Sequence, residues 1–110
     1  MSVDVLTVPE VAERLGVPAN RVHQLLRDGQ LVAVRSADGV RGVPASFVDD
    51  GAVVKALPSV ITLLRDARYA DDEIVDWLFR FDDTLPGTPI EALRSNRGSE
   101  VKRRAQVAGY

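Results

Sequence analysis

Two short segments near the start of the chain carry apolar residues at the spacing of a helix. The first has its apolar residues on one helical face, at Val8, Val11, Ala12 and Leu15. Thr7 can cap this helix, Glu10 can reach back to form a capping box, and Gly16 can end it. The pattern therefore predicts a short first helix that begins just after Thr7.

A second helix is predicted from residues 17–18 to about Arg27. Its inward-facing residues, again at helical spacing, are Val22, Leu25 and Leu26. Asp28 and Gly29 form the stop signal that follows them. The result is a pair of short helices joined by a tight glycine turn.

A hairpin is predicted after the second helix. Residues 31–34 are apolar and β-branched, 37–39 carry a turn signal, and 40–43 can return as the partner strand, which Pro44 stops. Residues 46–48 either begin a return to helix or pack over the hairpin. The hairpin has the size of the wing that accompanies many helix pairs.

The second half of the chain is predicted to be helical. The charged, glycine-containing segment 49–51 is the one plausible seam. Beyond it, Ser59 and Asp71 are predicted helix caps, Thr88 and Glu91 repeat the capping box, and 99–108 form a last helix. The aromatic residues are assigned to the core of this half: Tyr69, Trp77, Phe79 and Phe81.

This order of parts predicts a mainly α protein with a small β-hairpin wing. Residues 1–50 are expected to form a winged helix-turn-helix domain, and residues 51–110 a C-terminal helical bundle. The chain, 110 residues long and 45% hydrophobic, is long enough and apolar enough to fold as a compact globule.

Composition and charge limit the classes of protein to which this chain can belong. The apolar stretches are far shorter than the roughly 20 residues that span a bilayer, and no leader opens the sequence, so we expect a cytoplasmic protein without a membrane segment. The net charge of −2 argues against a protein that coats nucleic acid nonspecifically. The first 48 residues balance their charges, while 49–110 hold eleven acids and nine bases. The absence of cysteine and the single histidine disfavour a metal site, and no cofactor is predicted.

The second helix has the side chains of a DNA-reading helix. Its polar residues lie off the apolar stripe, and each has a group that can reach a base edge or a phosphate: Asn20, Arg21, His23, Gln24 and Arg27. Arg21 can pair with guanine, and Asn20 or Gln24 can pair with adenine. Arg27 is better suited to a phosphate contact. Arg35 and Arg41, one on each strand of the wing, can touch the backbone or the neighbouring minor groove.

Residues 6–17, Leu-Thr-Val-Pro-Glu-Val-Ala-Glu-Arg-Leu-Gly-Val, resemble the opening of winged helix-turn-helix domains of the MerR and phage-excisionase type. Residues 22–31 continue the same pattern. The resemblance implies that residues 20–27 read DNA and that 35–41 grip its backbone. Pro18 replaces the Ser or Thr cap that is common in the family, and His23 replaces an aromatic residue.

Nearly the whole chain is similar to a small actinobacterial family, through residues 57–79, 85–93 and 100–106. Its members pair such a winged domain with a helical C-terminal domain and bind DNA, and the mycobacterial representative is linked to serine/threonine kinase signalling. The resemblance therefore implies double-stranded DNA as a partner and a serine/threonine kinase as a second one. Residues 87–93 also resemble the toxin-binding domain of some bacterial antitoxins.

The sequence predicts DNA binding and transcriptional regulation, and two other classes of function compare with it less well. The alternative is a protein-interaction module, antitoxin-like or signalling, that uses the helical C-terminal half. An enzyme is not predicted, because no nucleophile, acid or phosphate loop accompanies His23, and the clustered acids fit helix starts better than a metal site. The basic run at 102–104 suits the end of a helix as well as it suits phosphate. Without a heptad run, we expect a monomer or a weak homodimer.

Overall fold

The structure is a computed structural model that describes residues 4–36, 38–49, 51–85 and 87–108. The chain divides into two compact units, one ending at Val54 and the other starting at Lys55. The described elements are mainly helices with small antiparallel sheets, which confirms the predicted fold class. Among the described residues, no helix is long and apolar enough to cross a membrane.

The first unit opens with the predicted helix pair. The elements are strand β1 (Val5–Leu6), helix α1 (Val8–Leu15) and helix α2 (Ala19–Arg27). The Glu10 carboxylate accepts a hydrogen bond from the Thr7 N–H at 2.9 Å, and the Thr7 hydroxyl accepts one from the Glu10 N–H at 3.4 Å, so the capping box is present. Gly16 ends α1 in the left-handed conformation, with φ of 68°, which favours a residue without Cβ.

The wing is the hairpin of β2 (Val34–Arg35) and β3 (Arg41–Pro44). Together with β1, these strands form a three-stranded sheet in the order β1-β3-β2. The predicted strand at 31–34 is therefore wrong in its bounds: Leu31 and Val32 are buried, but pairing begins only at Val34. Tertiary burial, rather than strand pairing, accounts for their apolar character.

Strand β1 was not predicted from the sequence. It pairs antiparallel with β3, Leu6 opposite Val43. A Cβ added to Gly42 would lie 2.4 Å from the Leu6 carbonyl oxygen, far inside van der Waals contact. Glycine at this position is what allows the two backbones to approach so closely.

Of the predicted seam at 49–51, Asp50 lies outside the described residues, while Asp49 and Gly51 lie within the first unit. A 3₁₀ turn (Ala45–Phe47) leads into β4 (Val48–Asp49), which pairs with β5 (Ala52–Val53). Gly51 adopts φ of 77° in the connection, and Phe47 is fully buried. The division between the units falls after this hairpin, between Val54 and Lys55.

The second unit contains helices α3 (Leu57–Asp66), α4 (Asp71–Leu78), α5 (Pro89–Arg94) and α6 (Gly98–Gln106). Its core residues recur at helical spacing; the fully buried ones include Leu57, Val60, Ile61, Leu64, Ile74, Leu78, Ile90 and Val101. The predicted capping box of α5 is present, because the Thr88 hydroxyl accepts from the Glu91 N–H at 3.3 Å.

The caps predicted for α3 and α4 are wrong. Helix α3 begins before Ser59, with Ala56 at φ of 71° as its N-cap, because Pro58 is well suited to the first turn. Asp71 is the first residue of α4 rather than its cap, and its carboxylate pairs with Arg65 at 3.0 Å. The Ala70 N–H is satisfied instead by the Glu73 carboxylate, at 2.9 Å.

The aromatic residues of the second unit are less buried than predicted. Trp77 and Phe79 are only half-buried, and 67% of Phe81 is exposed. Helix α4 ends at Leu78, so the chain turns before Phe81 and carries this side chain off the buried stripe. Tyr69 is half-buried, and its hydroxyl donates to the Ala108 carbonyl at 3.4 Å.

Candidate nucleic-acid interface

The turn between α1 and α2 fixes the direction of α2. The Gly16 N–H donates to carbonyls at the end of α1, and the Val17 N–H donates to the Ala12 carbonyl at 3.0 Å. Pro18 is the N-cap of α2 and offers no side-chain hydrogen bond to the helix. The start of α2 therefore has no side-chain cap, although the Arg21 N–H donates to the Pro18 carbonyl at 3.0 Å.

Helix α2 has one buried face and one exposed face. Val22 is fully buried and Leu25 is 6% exposed, while Leu26 is half-buried. The polar residues predicted for DNA contact are all exposed: Asn20, Arg21, His23, Gln24 and Arg27. The structure thus gathers five hydrogen-bonding or cationic side chains on the accessible surface of one nine-residue helix.

Two of these side chains are linked to each other. The Arg21 Nη1 donates a hydrogen bond to the Gln24 Oε1 at 3.0 Å. By contrast, Asn20, His23 and Arg27 make no side-chain hydrogen bond or ion pair with any residue in the described part of the chain. These three side chains are therefore available to an external ligand.

The wing presents two arginines at the same level of the hairpin. Arg35 on β2 is the register partner of Arg41 on β3, and both are exposed. Side chains of directly opposed residues point to the same face of a sheet, and like charges there destabilise the pairing. An anion bound between the two guanidinium groups would relieve that repulsion.

The turn at the wing tip is of the type that ends in a left-handed residue. The Gly39 N–H donates to the Ser36 carbonyl at 2.9 Å, and Gly39 adopts φ of 81°. Of the predicted turn residues 37–39, Ala37 lies outside the described residues. The Arg35 guanidinium donates to the Gly39 carbonyl at 3.3 Å, which holds it beside the turn.

Val40 is a wing residue that the pattern of polar side chains did not predict as a site residue. It follows the turn glycine and is 47% exposed, next to Arg41. An exposed β-branched residue directly after a turn glycine was the signal available in the sequence. An apolar side chain at a wing tip can contact sugar or base surfaces.

One residue of the basic run at 102–104, Arg104, is hydrogen-bonded within the second unit. The Arg104 guanidinium donates to the Thr84 hydroxyl at 2.9 Å, to the Thr84 carbonyl at 3.1 Å and to the Glu100 carbonyl at 2.9 Å. Lys102 is half-buried, and Arg103 is exposed. No group of three or more metal-ligating side chains occurs within the described ranges.

Two family models match consecutive parts of this chain. Residues 1–48 match the model described as the wHTH domain of the DNA-binding protein Rv2175c, and residues 54–109 match the Rv2175c C-terminal domain of unknown function. The chain is also similar to the DNA-binding protein Rv2175c of Mycobacterium tuberculosis. The two are 44% identical over 115 residues, which cover 94% of this chain and 79% of that protein.

A solved structure shows the same fold. The chain matches the NMR structure of Rv2175c with a TM-score of 0.86 and 42% identity, over 97% of this chain and 82% of the other. The matched segments include both units, and the first family model includes every residue of α2 and of the wing.

Proposed function

Because the chain belongs to the family of the DNA-binding protein Rv2175c, we propose that it binds double-stranded DNA through its first unit. In this proposal, α2 enters the major groove with its exposed polar face toward the base edges. The wing contacts the flanking backbone or minor groove.

The observation that carries the proposal is the exposed face of α2. Asn20, Arg21 and Gln24 have the amide and guanidinium groups that recognise adenine and guanine in the major groove. His23 and Arg27 lie on the same exposed surface. The opposite face is anchored by Val22 and Leu25, so the helix is presented as a rigid reading element.

Phosphate contacts are assigned to three arginines. Arg27 lies in the last turn of α2, and Arg35 and Arg41 face each other across the wing. Each neutralised phosphate lowers the logarithm of the binding constant by about 0.9 per tenfold rise in salt. These three contacts together therefore predict a salt slope of about −3.

The biological setting that we propose is transcriptional regulation by a MerR- or excisionase-like winged domain, with the protein acting as a monomer or a weak homodimer. A serine/threonine kinase partner, implied by the family resemblance, stays a prediction.

The proposal is tested by selecting bound sequences from a pool of random DNA duplexes at two salt concentrations. Affinity for the selected duplex is then measured over a salt series for the wild type, Arg21→Ala, and the double variant Arg35→Ala with Arg41→Ala. Arg80→Ala is the matched control, because Arg80 is an exposed arginine of the second unit, paired with Asp76.

We expect a recurrent short motif from the selection, weaker binding in both wing and helix variants, and unchanged binding in the control. If Arg21→Ala and the wing variant bind the selected duplex as tightly as the wild type, α2 and the wing do not contact DNA. That result would favour the alternative function, a protein-interaction module whose winged domain does not bind DNA.

A further inference from the structure

A groove at the end of α4 has no role in the proposed DNA contact. It encloses about 560 Å³ and lies entirely in the second unit. Two aromatic side chains line it, the half-buried Trp77 and the exposed Phe81. They lie at the end of the helix and just beyond it, four residues apart.

Phe81 is the one exposed aromatic side chain among the described residues. Among the described residues, the large apolar side chains classed as exposed are Val40, Phe81 and Val107, and Phe81 is the most exposed of them, at 67%. Most of the other large apolar residues are buried in the cores of the two units, and some, such as Leu26 and Phe79, are half-buried. Trp77 and Phe81 line the same groove, and accessible apolar surface that is gathered in one place can mark a contact site for another molecule.

The charged side chains that line the groove differ in whether they have a partner. Arg80 is paired with the Asp76 carboxylate, which neutralises the one cation of the lining. Asp82 accepts hydrogen bonds from the Thr84 N–H and hydroxyl and lies 3.6 Å from the Arg104 guanidinium. Asp83, also in the lining and exposed, has no hydrogen bond or ion pair with a residue of the described part. The groove therefore combines two aromatic rings with one uncompensated carboxylate.

We propose that this groove binds a short peptide segment of a partner protein in which an arginine or lysine is adjacent to an apolar side chain. The faces of Trp77 and Phe81 attract a cation and accommodate its methylene stem. Asp83 pairs with the same cation through a charge-assisted hydrogen bond. DNA does not fit this surface, because Asp82 and Asp83 would face its phosphates.

The experiment uses a library of random dodecapeptides displayed on phage, selected on the immobilised full chain and counter-selected on the Phe81→Ala protein. The peptide that is enriched most is then synthesised, along with an analogue that has glutamate in place of its basic residues. Because Trp77 is the one tryptophan of the chain, its fluorescence reports directly on occupation of the groove.

We expect the enriched peptides to share a basic residue beside an apolar one, and the synthetic peptide to change the Trp77 emission in a saturable way. Phe81→Ala should weaken this binding about tenfold. Asp83→Asn should weaken it about threefold, as expected for an exposed ion pair. The glutamate analogue should not bind.

Two matched controls separate the groove from general surface effects. Asp66→Asn removes an exposed carboxylate at the end of α3, outside the groove, and Val107→Ala removes another exposed apolar side chain. Both variants should bind the peptide like the wild type. All four variants should keep the far-ultraviolet circular dichroism of the wild type.

Three results would overturn the proposal. The first is a selection that enriches nothing over the Phe81→Ala protein or that enriches acidic peptides. The second is equal binding of the basic peptide and its glutamate analogue. The third is self-association of the wild type in sedimentation that Phe81→Ala abolishes, which would make the groove an interface between two copies of the chain.

Discussion

The Arg21 Nη1 and the Gln24 Oε1 are joined by a 3.0 Å hydrogen bond on the exposed face of α2. This bond uses one of the two lone pairs of the Gln24 amide oxygen and holds that oxygen toward Arg21. A side chain needs both an acceptor and a donor to bind adenine in a bidentate way. Of the two amides on the helix, Asn20 is the one whose donor and acceptor are not oriented by a hydrogen bond to another described side chain.

We therefore expect Asn20→Ala to relax the preference of the protein for adenine at one position of its site. The loss of a bidentate base contact corresponds to roughly 1–3 kcal/mol of discrimination. Gln24→Ala should change this preference less. The measurement is the affinity of each variant for the selected duplex and for duplexes with single base-pair changes; equal losses in the two variants would contradict the assignment.

Arg21 and Arg27 should differ in how their removal affects binding. Arg21→Ala should cost about 1–3 kcal/mol on the preferred duplex and much less on unrelated DNA. Arg27→Ala should weaken binding to all duplexes evenly and reduce the salt slope by about 1. Salt series on a specific and a scrambled duplex distinguish the two roles, and a sequence-dependent loss in Arg27→Ala would refute the phosphate assignment.

Gly42→Ala should destabilise the first unit. The new Cβ would lie 2.4 Å from the Leu6 carbonyl oxygen, so β1 must move away from β3. Overpacking of this kind typically costs about 1–3 kcal/mol. Urea unfolding checks the loss. Gly39→Asn is the comparison: no atom lies within 4 Å of a Cβ there, and asparagine adopts a positive φ more readily than most residues, so this variant should lose less stability than Gly42→Ala.

Arg104→Ala should lower the free energy of unfolding of the second unit, whereas Arg103→Ala should not. The Arg104 guanidinium binds two atoms of Thr84 and the Glu100 carbonyl, which ties α6 to the loop after α4. Hydrogen bonds to a charged group contribute about 1.5–3 kcal/mol each when buried and less where water competes, as it does here. A total loss of about 1–2 kcal/mol in thermal or urea unfolding is expected. Equal stability of the two variants would mean that the tether is not formed in solution.

Asp82 should make part of the stability acid-sensitive. Hydrogen bonds from the Thr84 hydroxyl and N–H, with a smaller effect of Arg104, hold the pKa of the Asp82 carboxyl below its usual value. A depressed folded-state pKa stabilises the fold above the unfolded-state pKa of about 3.9, and this stability is lost as the pH falls through the folded-state pKa. Asp82→Asn should therefore be less stable than the wild type at neutral pH. The difference should shrink as the pH falls below about 4, and unfolding curves at several pH values would show whether it does.

The local parts of the fold were predictable because their signals lie within a few residues. The capping boxes at Thr7 and Thr88 depend on a side chain three positions away, and Gly16 ends α1 through its own φ. The exposed positions of α2 follow from helical periodicity once Val22 and Leu25 are placed inward.

The predictions from sequence were wrong where packing between distant segments determines the secondary structure. The two-residue strand β1 has too little length to show alternation, and its partner is far away in sequence. The hairpin at 48–53 resembles a linker because its connection is charged and contains Gly51. Ser59 and Asp71 are good caps in isolation, but Ala56 and Ala70 take those positions because the neighbouring segments set the helix starts.

The sequence by itself therefore determined the two-helix unit, its turn and the chemical character of the α2 surface, since caps, periodicity and glycine conformations act locally. The tertiary structure decided the rest. It placed Arg35 opposite Arg41, linked Arg21 to Gln24, committed Arg104 to Thr84 and left Phe81 beside Trp77. These relationships depend on strand register, on side-chain rotamers and on the residue at which a helix ends. Packing between segments that are distant in sequence sets some of them, and side-chain torsions that hydrophobic periodicity does not encode set the others.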